Sequence, residues 1–95
     1  MSKAPFGKII ARCYEDLADT IEAGPQTDAE FFHQVLEIVF VELNFKAKLM
    51  AEGIKACKSA ASKWINRVAT PTPPSRKTVF AWIVTALRQA AVRAQ

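Results

Sequence analysis

Five polar side chains in the second half of the sequence have types and spacings suited to hydrogen bonding with nucleic-acid bases. They recur at intervals of one, three and four residues, and they are Lys58, Ser59, Ser62, Lys63 and Asn66. On a helix this spacing puts them on one face. Lysine amines donate to O6 and N7 of guanine, an asparagine amide pairs with adenine, and serine hydroxyls suit either base. We therefore assign these five residues as candidate base-reading groups of a DNA-binding helix.

Charge is distributed unevenly between the two halves of the sequence. Residues 1–44 contain three basic and eight acidic side chains, whereas residues 45–95 contain ten basic side chains and one acidic side chain. This asymmetry favours a polyanion, double-stranded DNA, as the partner of the second half. The alternative is that the two halves neutralise each other within one fold. We assign the basic residues around the polar helix to DNA phosphates: Lys46, Lys48, Lys55, Arg67, Arg76 and Lys77.

Apolar residues recur at three and four positions along the chain, and this spacing predicts helices rather than strands. The first predicted helix covers residues 6–23 and ends at Gly24 and Pro25, where Gly24 is expected to adopt the left-handed conformation that follows many helices. Thr27 and Glu30 are expected to form a capping box at the start of the second helix. The inward residues predicted for that helix are Phe31, Val35, Ile38, Val39 and Leu43.

Three more helices are predicted at residues 45–54, 57–68 and 76–93. Three prolines within residues 69–74 exclude a helix there, so Ser75 is expected to cap the last helix. The inward stripe of the last helix is expected to be Val79, Trp82, Ile83, Ala86 and Leu87. Phe80 and Val84 lie on an adjacent apolar face, which we interpret as a homodimer contact. The competing interpretation is that the N-terminal helices cover this face within one chain.

The stretch LMAEGIKACKSAASKWIN, residues 49–66, has the composition of a helix-turn-helix motif. Ala51 is the small residue required where the two helices cross, and it precedes Trp64 by thirteen positions. With Trp64-Ile65-Asn66 at the end of the motif and a proline-containing loop before the last helix, residues 45–87 resemble the Cro/repressor-type (XRE-like) helix-turn-helix family. The resemblance implies a homodimer in which the second helix of the motif enters the major groove of DNA.

The sequence departs from this family at three places. Lys55 stands where the turn normally carries glycine, and a left-handed lysine has a modest energy cost. Cys57 replaces the usual Ser or Thr cap of the second helix, whose loss costs about 0.5–2 kcal/mol. Residues 1–44 are longer and more acidic than the single helix that the family usually has there.

Other classes of function find little support in the sequence. One His and two Cys do not make a structural zinc site, and the sequence has no Ser-His-Asp, paired-carboxylate or phosphate-loop arrangement. We therefore expect no enzymatic activity, no metal and no cofactor. The most apolar stretch, residues 35–45, is too short to span a membrane and contains two glutamates. A cytoplasmic protein with no membrane partner is expected.

The sequence thus predicts an all-α fold of about five helices. Residues 1–44 form an acidic helical hairpin, either in the same folding unit or as a partner-binding arm, and residues 45–95 form a compact helix-turn-helix DNA-binding region. We expect a sequence-specific, repressor-like transcriptional regulator that acts as a homodimer. The alternative is a protein-interaction module, such as an antitoxin or antiactivator, whose acidic N-terminal helices hold a protein partner. A third possibility is a nucleoid or conjugation-accessory protein that binds DNA without sequence preference.

Overall fold

Two long helices, one near each end of the chain, pack against each other, and the shorter helices pack beside them. A computed structural model describes residues 4–94, with side chains from residue 6 onward; the remaining residues of the predicted 1–44 and 45–95 regions lie outside the described part. The helices are α1 (Ala4–Ala23), α2 (Ala29–Leu36), α3 (Ala47–Gly53), α4 (Lys58–Ile65) and α5 (Pro73–Ala94). The predicted all-α class of five helices is confirmed, and residues 4–94 contain no strand.

The turn after α1 depends on the absence of a side chain at Gly24. Gly24 does not have a positive φ, so its predicted left-handed role is wrong. A Cβ atom at this position would instead overlap the ring of Phe31. The glycine therefore allows the first turn of α2 to pack closely against the end of α1.

The cap of α2 lies one residue later than the sequence pattern predicted. The side chain of Asp28 accepts a hydrogen bond from the backbone N–H of Phe31 at 2.8 Å, which makes Asp28 the N-cap and the Thr27–Glu30 capping box wrong. This arrangement satisfies one of the free N–H groups at the helix start. It also leaves the Glu30 carboxylate available for contacts with another part of the chain.

Beyond Leu36, α2 continues as a π-helical segment, Glu37–Glu42. The N–H of Leu43 donates to the carbonyl of Ile38 at 2.8 Å, five residues back. The wider turn changes which side chains face inward. Leu36 and Phe40 are buried, whereas Leu43, which was predicted to face inward, is exposed.

The last helix begins three residues earlier than predicted, at Pro73 rather than after Ser75. Pro73 and Pro74 occupy the first turn, where a backbone N–H has no partner within the helix, so the missing donors cost nothing there. The first helical hydrogen bond is that from the N–H of Arg76 to the carbonyl of Thr72, at 2.9 Å. Proline was therefore evidence for a helix start at these two positions.

Helix α5 is buried on two adjacent faces, not one. Val79, Ile83 and Leu87 are buried as the pattern predicted, and Phe80 and Val84 are buried as well. The ring of Phe80 lies 5.5–5.7 Å, centroid to centroid, from the rings of two α2 phenylalanines, Phe31 and Phe32. The homodimer contact assigned to Phe80 and Val84 is therefore wrong, because the N-terminal helices cover this face within one chain.

A single hydrophobic core joins the acidic and the basic halves of the sequence. It includes Ile21 from α1, Phe32 from α2, Met50 from α3, Ala61 from α4 and Phe80 from α5. Of the two roles considered for residues 1–44, membership of the same folding unit is the one that fits this core. Within residues 4–94, no helix is both long enough and apolar enough to cross a membrane.

We predict that Phe80→Ala lowers the free energy of unfolding by about 3–5 kcal/mol, because it empties a fully buried aromatic position. Val92→Ala, on the same helix but largely exposed, should change stability by less than about 0.5 kcal/mol. Urea denaturation followed by circular dichroism measures both. Equal stability of the two variants would place Phe80 outside the core.

Candidate nucleic-acid interface

Helices α3 and α4 pack on each other and are joined by a four-residue connection, residues 54–57. Ala51 of α3 and Ala61 of α4 are both buried. Small side chains at these two positions allow the helix backbones to approach closely. Ala51 thus occupies the kind of position that the helix-turn-helix pattern assigned to it.

The second residue of the connection, Lys55, has a left-handed backbone conformation. Its φ is 59°. The N–H of Ala56 donates to the carbonyl of Ala51 at 2.8 Å, and the N–H of Lys55 donates to that of Glu52 at 3.3 Å. These two bonds define a Schellman motif, a common helix ending with a left-handed residue. Lys55 therefore has the backbone role that a glycine usually has in such turns.

Gly53 stands two positions before the left-handed residue for a steric reason. A Cβ atom at Gly53 would overlap the indole ring of Trp82, which lies on α5. Trp82 in turn stacks on Phe40, with ring centroids 6.3 Å apart. Gly53 therefore allows α3 to pack against this tryptophan, while Lys55 adopts the left-handed conformation of the turn.

The C-terminal end of α4 has the same Schellman geometry with another basic residue. Arg67 has a φ of 62°, the N–H of Val68 donates to the carbonyl of Lys63 at 2.8 Å, and that of Arg67 donates to the carbonyl of Trp64 at 3.3 Å. At the other end, Cys57 is the N-cap, and its side chain accepts no hydrogen bond from a backbone N–H of the helix, as its weak acceptor character predicted. Helix α4 is therefore capped well at its end and weakly at its start.

His33, a buried residue of α2, fixes the end of α4. Its Nδ1 lies 2.9 Å from the carbonyl oxygen of Trp64, and its Nε2 lies 2.8 Å from Oγ1 of Thr70. A carbonyl oxygen only accepts, so Nδ1 carries a proton and donates to it. Sequence reasoning gave His33 no role, because its partners are 31 and 37 residues away and no local pattern connects them.

Arg67 pairs with acidic residues of the N-terminal half. Its guanidinium lies 3.0 Å from a carboxylate oxygen of Glu30 and 3.6 Å from one of Glu37. The hydrogen bond to Glu30, followed by the charges of both carboxylates, raises the pKa of Arg67 above its ordinary value. Arg67 therefore links the end of α4 to α2. Its guanidinium is engaged by carboxylates, which disfavours its assignment to a DNA phosphate.

Arg76 is also unavailable for phosphate, because its side chain is buried. It donates to the carbonyl oxygens of Pro71 and Thr27, each at 2.7 Å, and thereby holds the loop before α5 against the loop before α2. The phosphate assignment of Arg76 is wrong. Its Nε has no partner among the described residues.

The other predicted site residues are exposed. On α4 and its C-cap these are Lys58, Ser59, Ser62, Lys63 and Asn66, and around α4 they are Lys46, Lys48, Lys55 and Lys77. Over residues 4–94, none of these lysines has a carboxylate within 4.0 Å. The first two turns of α5 border the same cleft as Lys55, through Ser75 and Thr78, so Lys77 lies on an element adjacent to the α3–α4 turn.

In comparisons with known proteins, no family model, no curated protein and no solved structure matches this chain. The helix-turn-helix resemblance therefore depends on the residues of this chain alone. In the part of the chain that the structure describes, no three or more His, Cys, Asp or Glu side chains cluster in a way that could hold a metal ion.

We predict that Lys55→Gly raises the free energy of unfolding by about 1 kcal/mol, because glycine adopts a positive φ without steric cost. Lys55→Ala removes the same charge but keeps the strain, so it should leave stability nearly unchanged. Thermal denaturation of the two variants measures the difference. A Gly variant no more stable than the Ala variant would contradict the strained turn.

Proposed function

We propose that this protein is a sequence-specific DNA-binding regulator of repressor type, acting as a homodimer, whose α4 helix enters the major groove. The main support for the proposal is the exposure of the lysines in residues 45–65 and their lack of ion pairs within the described chain. This stretch contains five lysines and one glutamate, and all five lysines are exposed. None has an acidic partner within the described chain.

The basic residues of the second half differ in whether they have acidic partners within the described chain. Arg67 and Arg88 pair with four carboxylates of the N-terminal half, those of Glu30, Glu37, Asp19 and Glu22. The hydrogen bonds to Glu22 and Asp19 raise the pKa of Arg88 above its ordinary value. The two halves of the chain thus neutralise each other partly, through arginines, while the lysines remain available to an external polyanion.

The dimensions of α4 suit a groove of DNA. Eight residues make a helix about 12 Å long and roughly 10–12 Å across with its side chains, and the major groove is about 12 Å wide. Lys58 and Ser59 lie in its first turn, the part that usually contacts base edges. Because the Cys57 side chain accepts no hydrogen bond from a backbone N–H of α4, N–H groups of this turn are available to an anion such as a phosphate.

Helix α4 is also held in place by contacts with α2, as is expected of a helix that recognises DNA bases. His33 and the Arg67 ion pairs fix its end to α2, and the rings of Trp64 and Phe32 pack in a T-shaped arrangement, with 6.4 Å between their centroids. A site whose side chains are already positioned loses less entropy on binding. These contacts lie behind the helix and leave its polar face accessible.

We predict that DNA affinity depends strongly on salt. If Lys46, Lys48, Lys55 and Lys77 each neutralise one phosphate, log K should fall against log salt with a slope of about −4. Fluorescence anisotropy with a labelled duplex pool, repeated at several salt concentrations, measures the slope. Affinity that stays constant from low to physiological salt would exclude DNA as the partner.

We predict that Lys58→Ala and Lys63→Ala each weaken binding to a selected duplex about 5- to 150-fold and relax the preference at one base pair. Arg93→Ala is the matched control, since it removes the same charge from an exposed position on the last turn of α5. All three variants should keep the wild-type helical content. Selection from a random duplex pool supplies the target; if no sequence is enriched, binding is non-specific and the regulatory proposal fails.

A further inference from the structure

A buried imidazole on α2 connects the end of α4 to the loop that follows it. The side chain belongs to His33, which is 7 % exposed. Its Nδ1 donates to the carbonyl oxygen of Trp64, in the last turn of α4, at 2.9 Å. Its Nε2 lies 2.8 Å from Oγ1 of Thr70, in the loop beyond α4, and the Thr70 hydroxyl donates to it when the ring is neutral. Both ring nitrogens therefore hold the region where α4 ends.

The other polar links between this region and the N-terminal half are more exposed or do not reach α4. The Arg67 guanidinium and its carboxylate partners, Glu30 and Glu37, are about half exposed. Exposed ion pairs of this kind contribute little to stability and are screened by salt. Arg76 joins the loop before α2 to the loop before α5 and makes no hydrogen bond to α4. Of these links, His33 is the one that solvent and salt affect least.

The direction of α4 has its largest effect at the end of the helix that lies away from His33. The helix has eight residues and is about 12 Å long, and Lys58 and Ser59 occupy its first turn. A tilt of about 10° around the last turn moves the first turn by about 2 Å. Hydrogen bonds to base edges need donor–acceptor distances of about 2.7–3.2 Å, so such a tilt breaks them. A flexible lysine beside a phosphate can follow the same movement.

We propose that His33 is a positioning residue of the DNA site: it sets the direction of α4, and thereby the sequence preference, without contacting DNA itself. The inference rests on the proposed function. It assigns two properties of the site to different groups. General affinity for DNA comes from the exposed lysines, whereas discrimination between sequences depends on the helix direction that His33 maintains. Loss of the imidazole should reduce the second property and leave the first unchanged.

The test compares a duplex selected from a random pool with a scrambled duplex of the same composition. His33→Leu removes both hydrogen bonds and keeps an apolar side chain at the buried position. It should lower the ratio of the two affinities about tenfold, which corresponds to the loss of roughly one base contact. The slope of log K against log salt should stay that of the wild type, because all the lysines remain. Fluorescence anisotropy measures both quantities, and circular dichroism checks folding.

Three further variants separate positioning from a general loss of stability. Ile21→Val removes a methyl group from a buried residue of α1 and should lower stability without changing the affinity ratio. Glu30→Gln weakens the ion pair to Arg67 and should change the ratio less than about twofold. His33→Asn places an amide N–H close to the position of Nδ1, so it should recover most of the preference that His33→Leu loses.

Hydrogen exchange without DNA gives a second readout of the same role. In His33→Leu, exchange should become faster at the amides of Asn66 and Val68, whose acceptors lie in α4, than at that of Ile54, whose acceptor lies in α3. Ile21→Val should affect these amides alike. Equal acceleration in the two variants would overturn the proposal.

The outcomes for the positioning role and for the proposed function are distinguishable. A wild-type protein that prefers one sequence, with an unchanged affinity ratio in His33→Leu, would overturn the positioning role and leave the function standing. The same follows if Ile21→Val lowers the ratio as much as His33→Leu does. A wild-type protein without any sequence preference would instead overturn the function, and the specificity role of His33 with it.

Discussion

Helix α5 imposes the main packing requirement on this chain, because two of its adjacent faces are apolar and both need to be covered. The α1 helix covers one side along its length, and the phenylalanines of α2 cover Phe80. Helix α3 rests on Trp82 of the same helix through Gly53. The acidic N-terminal half is therefore an essential part of the core.

Local periodicity carried enough information to predict the helices, but it did not identify which faces would be buried. The number of helices, the position of the α3–α4 turn and the exposed polar face of α4 all follow from residues close together in the sequence. The roles of Arg67, Arg76 and His33 do not, since their partners lie up to 49 residues away. An arginine near a polar helix has the same local pattern whether it binds a carboxylate, a backbone carbonyl or a phosphate.

At the helix ends of this chain, the residues that adopt a left-handed backbone are different from the residues that leave room for a neighbouring side chain. Asn44, Lys55 and Arg67 have positive φ values, while none of the glycines among residues 4–94 does. Gly24 and Gly53 are instead positions where an aromatic ring leaves no room for a Cβ atom. The usual inference from glycine to a left-handed turn fails here because a large ring on a neighbouring helix is a second reason to require glycine.

The polar face of α4 is almost independent of the contacts that fold the chain. Among the residues that the structure describes, its side chains make only short-range polar contacts, between Ser59 and Cys57 and between Asn66 and Ser62, while Ala61, Trp64 and Ile65 pack on the core side of the helix. Stability and the proposed DNA recognition would therefore use different residues of one eight-residue helix. Because residues 58, 59, 62 and 63 are exposed, they can be varied together in a library with little effect on folding, so evolution or design can change the chemistry of this surface without rebuilding the core.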